Sequence, residues 1–320
     1  MKESKSGFLY KVWNILMPLV IYYSVYLISF FLLSYLYQTI VERSGVETAV
    51  LLQEQKSTLT GIVNGISMLL GALVLVPLLR VELQEHRGRI TSYGQQDIFG
   101  QKKRMFFLIT ILLAVSSSIG LNVLLSLTGL VQNSASYQDV AQSQYGVVFG
   151  VGMVLYAVVS PLAEEIVFRG IIYNRMRRYL GEWQDGRAYQ QAIGSAEQQM
   201  NESRKWSGSS RFDASVTIAV IASGVLFGVY HGNLVQGVYG GCMGILMAYL
   251  YERTHAFCIP CLFHATANCV VYVLAQNAAL HERIFTFPWC AGLLAISVVM
   301  ILIVEKGKKG YSLPPRRSLR

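Results

Sequence analysis

Apolar runs recur along the whole chain, separated by shorter polar stretches. A membrane-spanning helix needs about 20 predominantly apolar residues to cross a hydrocarbon core about 30 Å thick. We predict eight such helices, at about residues 12–38, 58–80, 105–131, 146–172, 214–231, 235–251, 256–276 and 284–304. The first is too long for the apolar part of a signal peptide, so we expect it to be retained. The pattern predicts an all-α polytopic membrane protein.

Charged residues are few, at 14% of the chain, and they are unevenly distributed. The net charge of +9 would suit a nucleic-acid-binding protein. However, placing successive connections on alternating sides of the membrane puts 23 of the 27 lysines and arginines on one side. This positive-inside pattern predicts a multi-pass protein of the cell membrane with both termini cytoplasmic. It excludes nucleic acid as the partner and favours anionic lipid headgroups of the bilayer.

The chain divides into three parts by the polarity of its spans. Residues 1–139 hold three spans with almost no ionisable residues inside them. Residues 140–276 hold the polar motifs, and residues 277–320 hold the last span and a basic cytoplasmic tail. The polar stretch 174–213 is predicted to be a cytoplasmic loop. We find no internal repeat, which counts against a secondary transporter, since many of these are built from repeats.

Ionisable and amide side chains occur in three short patterns inside the apolar segments. The patterns are Glu164-Glu165-x-x-x-Arg169, Phe227-x-x-x-His231 and His264-x-x-x-Asn268. An ionised side chain in hydrocarbon costs about 2.5–3.5 kcal/mol or more, so such residues normally face a cavity and have a function there. The patterns therefore predict an intramembrane polar cavity that holds a catalytic or transport site.

The first pattern contains two acids with different expected roles. Glu165 and Arg169 are four residues apart on a helix, in the favourable orientation for an ion pair. Glu164 points about 100° away from Glu165, and without a basic partner it is a candidate general base. Pro161 lacks a backbone donor and should release the carbonyl of Ala157, bending the helix or exposing that carbonyl to the cavity.

The other two patterns supply histidines and an amide. His264 and Asn268 share a helix face, where they could bind a metal, relay protons, stabilise an oxyanion, or simply join helices by hydrogen bonds. His231 could lie at the membrane interface. It ends its span about 26 Å from the start, whereas Glu164 lies nearer the cytoplasmic side. Either tilt or a fifth helix that starts below the membrane must bring the two together.

A possible zinc motif overlaps the third pattern. His255, Cys258, Cys261 and His264 follow each other at intervals of three residues. Such spacing climbs about 4.5 Å per step along a helix, which is too far for tight tetrahedral closure around one ion. Pro260 interrupts this regularity, and we do not favour zinc at these positions.

Several glycines are spaced for close helix packing. They are Gly224 and Gly228, followed by Gly237-x-x-x-Gly241 and Gly240-x-x-x-Gly244. Small residues at intervals of four let membrane helices approach closely. We therefore predict that the fifth and sixth spans pack tightly against each other.

The three polar motifs resemble those of a known family. They stand in this chain as Glu164-Glu165-Ile166-Val167-Phe168-Arg169, Phe227-Gly228-Val229-Tyr230-His231 and His264-Ala265-Thr266-Ala267-Asn268. The family is the CAAX protease and bacteriocin-processing family, also called the Abi family of intramembrane proteases. The resemblance covers about residues 145–275.

The resemblance implies a role for each motif residue. Glu164 and His231 would activate a water molecule, and His264 and Asn268 would form an oxyanion hole. Structural support would come from three further residues, Glu165, Arg169 and Phe227. Members of the family are described as metalloproteases, so zinc stays open as a cofactor, with Glu164, His231 and His264 as candidate ligands. The sequence lacks the H-E-x-x-H pattern that would decide the question.

The function implied by the resemblance is that of an intramembrane endopeptidase acting on a membrane-associated peptide or protein. Eukaryotic relatives remove the C-terminal tripeptide from prenylated proteins, and bacterial relatives are linked to pheromone maturation and bacteriocin immunity. Two alternatives remain. One is a catalytically silent scaffold or self-immunity protein of the same fold, and the other is a proton-coupled transporter using the same glutamate and histidines.

Overall fold

The computed structural model describes residues 5–92, 103–181 and 214–309, and no strand occurs in these ranges. Most of the predicted loop 174–213 and of the tail beyond Lys306 lies outside the described residues. The helices are α1 (Lys5–Arg43), α2 (Val46–Glu54), α3 (Lys56–Ser92), α4 (Lys103–Leu127), α5 (Ala135–Tyr145), α6 (Phe149–Gly181), α7 (Ala214–Tyr230), α8 (Leu234–Thr254), α9 (Cys258–Ala275), α10 (Ala278–Ile284) and α11 (Phe287–Lys309). The predicted all-α polytopic fold class is confirmed.

All eight predicted spans correspond to helices. Seven of the helices are long and apolar enough to cross a membrane, namely α1, α3, α4, α6, α8, α9 and α11. The eighth segment is α7, an apolar helix of 17 residues. A helix of this length is about 26 Å long, slightly less than the hydrocarbon core. Its shortness matters for the site, because it places His231 immediately after its last turn.

Three short helices, α2, α5 and α10, lie in connections that the sequence analysis left without structure. The N-cap of α5 is Ser134, whose hydroxyl accepts a hydrogen bond of 3.3 Å from the backbone N–H of Tyr137. Asn277 caps α10 in the same way, accepting 3.0 Å from the N–H of Leu280. Polar caps mark the starts of α5 and α10, whereas Gly45 precedes α2 without a side-chain cap bond. All three helices are too short for a search for long apolar runs to find them.

Helix α6 lies at the centre of the molecule, where it contacts α1, α3, α7, α8 and α9. One apolar core surrounds it and includes Val167 and Phe168, which are fully buried. By contrast, α1 and α11 are the least buried spans and expose large side chains such as Phe31 to the surroundings. Polar chemistry on α6 is therefore shielded from lipid by a ring of neighbouring spans.

The predicted tight packing of the fifth and sixth spans, α7 and α8, is present. A Cβ atom added at Gly228 would lie 2.4 Å from the carbonyl oxygen of Gly237. One added at Gly224 would lie 2.8 Å from the carbonyl oxygen of Gly241. Such distances leave no room for a side chain, so both α7 glycines are needed for backbone to meet backbone.

The membrane topology inferred from the basic residues can be tested with reporter fusions or cysteine labelling. We expect Ser136 and Asn277 to be accessible from outside the cell, and Gln190 and Ser318 from the cytoplasm, because the positive-inside bias places them so. Labelling of Gln190 from outside intact cells would contradict the orientation, and with it the cytoplasmic position of both termini.

Candidate active site

A cavity of about 190 Å³ lies between α4, α5, α6, α7, α8 and α9. Its wall contains the four predicted catalytic residues, Glu164, His231, His264 and Asn268. Phe227 also lines it. The structure thus brings three separate motifs to one enclosed space, although their catalytic roles remain a prediction. Glu165 and Arg169 are not among the lining residues and are fully buried.

Glu165 connects two of the motifs through a single oxygen atom. Its Oε1 accepts a hydrogen bond of 2.8 Å from Nη1 of Arg169 and one of 2.9 Å from Nδ1 of His264. The bond to Arg169 is the ion pair expected from the spacing of four. The bond to His264 was not predicted, since it joins α6 to a helix 99 residues further along the chain. Glu165 therefore orients a residue of the cavity wall as well as its own motif.

Arg169 is held by three different neighbours. Besides Glu165, it donates from Nη2 to the carbonyl oxygen of Gly244 on α8, at 3.0 Å. Its guanidinium carbon lies 4.5 Å from the centre of the Phe227 ring, a cation–π contact. A Cβ atom at Gly244 would lie 3.1 Å from Nη2. The glycine on α8 therefore lets the arginine reach a backbone carbonyl inside the membrane.

Phe227 explains why a phenylalanine precedes His231 by one helical turn. Its ring packs edge-on against His231, with centroids 4.9 Å apart, and against His264, with centroids 5.5 Å apart. Arg169 lies on the same ring. The phenylalanine ring thus contacts both histidines and the arginine, and it helps to set their positions.

His231 lies in the tight turn that joins α7 to α8. The following residue, Gly232, has a φ of +73°, a left-handed conformation that glycine adopts without strain. Nδ1 of His231 lies 2.8 Å from the carbonyl oxygen of Phe227, which fixes the orientation of the ring. Asn233 then caps α8, accepting 2.9 Å from the N–H of Gln236. The turn is defined by these local bonds and by one glycine.

The difference in depth between His231 and Glu164 is resolved by the lengths of α6 and α7. Helix α6 continues to Gly181, beyond the predicted end of its span at residue 172. Nη1 of Arg177 donates 3.1 Å to the hydroxyl of Ser215, so α7 starts beside the far end of α6. Because the two helices run in opposite directions, the end of α7 reaches the level of Glu164. His231 and Glu164 therefore lie close together, while the choice between helix tilt and a start below the membrane stays a prediction.

Glu164 is buried in the cavity wall, with 6% of its surface exposed. Its Oε1 accepts a hydrogen bond of 2.8 Å from the hydroxyl of Ser160, and its Oε2 lies 3.7 Å from Nε2 of His264. Ser160 and Tyr156 also line the cavity, and the sequence analysis did not identify them. Their signal is the spacing of four in Tyr156-x-x-x-Ser160-x-x-x-Glu164, which places all three on one helix face.

Asn268 is positioned by an irregularity in α6. Residues Leu155–Val159 form a π-helical stretch, in which the N–H of Ser160 binds the carbonyl of Leu155 five residues earlier. In this register the next donor would serve the carbonyl of Tyr156, but that donor position is Pro161, which has no N–H. The Tyr156 carbonyl accepts 3.1 Å from Nδ2 of Asn268 instead. The backbone carbonyl left without a helical donor is therefore that of Tyr156. The sequence analysis expected the carbonyl of Ala157, which is the one that Pro161 would release in a regular α-helix.

The short helix α5 supplies polar side chains to the cavity that no motif indicated. Tyr137, Gln144 and Tyr145 all line it. Burial raises the pKa of the Tyr145 hydroxyl above its ordinary value, and the neighbouring Tyr137 adds to the effect. Both tyrosines therefore stay neutral at physiological pH, when their hydroxyls can donate or accept a hydrogen bond.

The donor atoms of the site were compared with the needs of zinc, which in catalytic sites takes three protein ligands. Nδ1 of His264 is bonded to Glu165, and Nδ1 of His231 faces the Phe227 carbonyl. No group of three His, Cys, Asp or Glu side chains in the described ranges is arranged to hold a metal ion. Neither the candidate ligands Glu164, His231 and His264 nor the pattern that begins at His255 forms such a group. We therefore derive no reaction step through a metal.

Comparison with known proteins found one family model that matches part of the chain. Residues 147–270 match the family model of type II CAAX prenyl endopeptidase Rce1-like proteins. This segment is an Rce1-like domain. The match confirms the resemblance inferred from the motifs, and the domain includes every residue of the three motifs. The chain matched no curated protein and no solved structure.

The family match supports a function at family level. An Rce1-like domain in a multi-pass membrane protein supports a CAAX-type intramembrane protease, with the bilayer as its environment and a protein as its substrate. The boundaries predicted for the flanking segments 1–139 and 277–320 stay predictions, as does the orientation of the termini.

The support role of Arg169 in the Rce1-like domain can be tested by Arg169→Ala. Removing one partner of a buried ion pair typically costs about 3–5 kcal/mol, because the remaining charge is left without compensation. We expect less folded protein and a lower melting temperature in detergent, measured by size-exclusion yield and thermal unfolding. Arg43→Ala, which changes an exposed arginine at the end of α1, is the matched control. Unchanged yield and melting temperature for Arg169→Ala would argue against the role.

Proposed function

We propose that this protein is an intramembrane endopeptidase that cleaves a CAAX-type, membrane-associated substrate with a water molecule activated by Glu164 and His231. The observation that carries the proposal is the single cavity lined by these two residues together with His264 and Asn268. Each of the four side chains also makes a hydrogen bond to another group of the protein. These bonds limit which of its atoms can donate or accept a hydrogen bond in the cavity. The proposed roles are chosen to agree with these constraints.

The proposed water-activating side of the site needs two hydrogen-bond acceptors, which are Nε2 of His231 and the carboxylate of Glu164. The Phe227 carbonyl can only accept, so Nδ1 of His231 carries the hydrogen and Nε2 keeps its lone pair. Glu164 already accepts from Ser160 at Oε1 and retains other lone pairs. A water molecule between them can donate one hydrogen to each, which leaves its own lone pair free to attack a carbonyl carbon.

The oxyanion side requires donors. Nδ1 of His264 bonds to the Glu165 carboxylate, which can only accept, so Nδ1 carries a hydrogen. The proposed oxyanion role requires a second hydrogen, on Nε2. Asn268 uses one amide hydrogen for the Tyr156 carbonyl and has a second to donate. Two donors converging on one position are the requirement for stabilising an oxyanion.

The proposed reaction then follows in two steps. Water transfers a proton to Glu164 while its oxygen bonds to the scissile carbonyl carbon, and the carbonyl oxygen takes up negative charge beside His264 and Asn268. The carbon–nitrogen bond breaks as the proton passes from Glu164 to the leaving amine. Glu164 is returned to its ionised form, and His231 holds the water in place throughout.

The proposal predicts that Glu164→Gln abolishes catalysis without removing the side chain. Glutamine has the same size and still accepts from Ser160, but it cannot take up a proton. We expect cleavage of an S-farnesylated peptide ending in Cys-Val-Ile-Met to fall about 10²–10⁴-fold, the usual contribution of a general base. Release of the tripeptide by purified protein in liposomes is the measurement, and Glu42→Gln, an exposed acid on α1, is the control.

The same assay separates the alternative functions. Near-normal cleavage by Glu164→Gln would overturn the mechanism. Absence of cleavage by the wild type, with a cellular phenotype retained in Glu164→Gln, would favour a silent scaffold or an immunity protein. Solute uptake that depends on a proton gradient and is lost in Glu164→Gln would favour a transporter.

Metal dependence gives an independent prediction. Because Glu164 and His231 can polarise water by themselves, we expect a membrane-permeant chelator to leave the purified activity largely intact. Tripeptide release before and after chelation, with bound zinc measured by elemental analysis, is the check. Complete inactivation that stoichiometric zinc reverses would show that His231, His264 and Glu164 act as metal ligands instead.

A further inference from the structure

A second cavity, of about 250 Å³, adjoins the first on the side of α1 and α3. The two cavities share six lining residues, which are Gln144, Tyr156, Ser160, Glu164, His231 and Gln236. Glu164 and His231 therefore lie between two cavities, where a chain passing over them would continue into both. A site that only had to admit water would not need a second compartment of this size.

Most residues that line only the second cavity lie outside the Rce1-like domain, the exceptions being Leu155 and Tyr230. Tyr23 and Tyr26 on α1 line it, together with Asn64 and Met68 on α3. The hydroxyl of Tyr26 donates 2.7 Å to Oδ1 of Asn64, which joins the two spans at the cavity surface. The first three spans, which carry no family motif, thus contribute side chains next to the proposed water-activating pair.

Close packing of α3 against α6 builds this wall. A Cβ atom at Gly65 would lie 2.3 Å from Cδ2 of Leu155, and one at Gly61 would lie 3.3 Å from Cδ1 of the same residue. Leu155 begins the π-helical stretch that also positions Asn268. The two α3 glycines therefore bring Asn64 to the edge of the site at the point where α6 is irregular.

The two cavities differ in chemical character. Beyond the shared residues, the first cavity is apolar where Met243, Met247 and Phe263 line it, whereas α5 gives another part of its wall the hydroxyls of Tyr137 and Tyr145. The second presents the hydroxyl of Tyr26 and the amide of Asn64. Aliphatic side chains suit the first environment, whereas a peptide backbone with polar side chains needs the hydrogen-bonding groups of the second.

We propose that the second cavity is a substrate subsite for the polar peptide segment that precedes the scissile bond, and that Tyr26 and Asn64 determine its specificity. The apolar part of the first cavity then receives the aliphatic residues that follow the bond. Because Glu164 and His231 line both cavities, a chain bound with its scissile carbonyl beside them can extend one flank into each. The inference rests on the proposed peptidase function.

The test compares two S-farnesylated peptides that both end in Cys-Val-Ile-Met. The long peptide has six polar residues before the cysteine, and the short one begins at an acetylated cysteine. We expect the wild type to prefer the long peptide in kcat/KM. Tyr26→Phe and Asn64→Leu should each reduce the ratio of long to short about fivefold, mainly through KM for the long peptide, as expected for loss of one hydrogen bond.

A matched control comes from the same helix. The hydroxyl of Tyr37 on α1 donates 3.0 Å to the carbonyl of Leu52, and Tyr37 lines neither cavity. Tyr37→Phe also removes an interhelical hydrogen bond of a tyrosine, so it should keep the wild-type ratio. Tyr26→Phe is the conservative variant that preserves packing if Asn64→Leu fails to fold.

The possible outcomes of this test separate the proposed subsite from the proposed peptidase function. Cleavage of both peptides with a ratio that Tyr26→Phe does not change would overturn the subsite while leaving the peptidase function intact. The same conclusion follows if the wild type cleaves the two peptides equally well. If the wild type cleaves neither peptide, the proposed function fails and the subsite fails with it.

Discussion

Charge compensation without water is the constraint on which the rest of the site depends. Arg169 and Glu165 have no exposed surface, so each needs its partner within the protein. Oε1 of Glu165 accepts from Arg169 and from His264, and the arginine also reaches the Gly244 carbonyl. Loss of the bond between Glu165 and Arg169 would leave both charges without compensation in a dry interior. The orientation of the proposed oxyanion donor is therefore coupled to the stability of the fold.

Irregular helix geometry delivers the polar groups to one place. The π-helical stretches Leu155–Val159 and Ile166–Tyr173 lie on either side of the acidic pair, and π-helical turns occur frequently at functional sites. Together with Pro161, the first stretch frees a backbone carbonyl for Asn268. Glycine contacts bring α7 and α8 close together, and the glycine at position 244 lets its own backbone carbonyl accept a hydrogen bond from Arg169. Side-chain chemistry here depends on backbone groups that a regular packed helix would hide.

Much of this arrangement could be predicted from the sequence, because each signal is local and strong. Apolar runs of membrane length defined the spans, and a spacing of four placed Glu165 beside Arg169 and His264 beside Asn268 on common helix faces. The high cost of an ionised group in hydrocarbon made the rare polar residues informative. The cost of placing an ionised Glu164 in hydrocarbon does not depend on which helix lies next to it, so it can be recognised from the sequence alone. The motifs therefore indicated both the family and the residues of the cavity before any contact was known.

The tertiary structure decided which residues meet across helices. The bond from Glu165 to His264 joins residues 99 apart, and the wall built by Tyr26 and Asn64 belongs to spans without any motif. Periodicity along one helix cannot specify such pairs, because they depend on crossing positions set by glycine contacts and by the π-helical register of α6. The depth of His231 likewise follows from where α7 starts beside Arg177. The sequence by itself determined which side chains had to leave the lipid, and helix packing determined where they met.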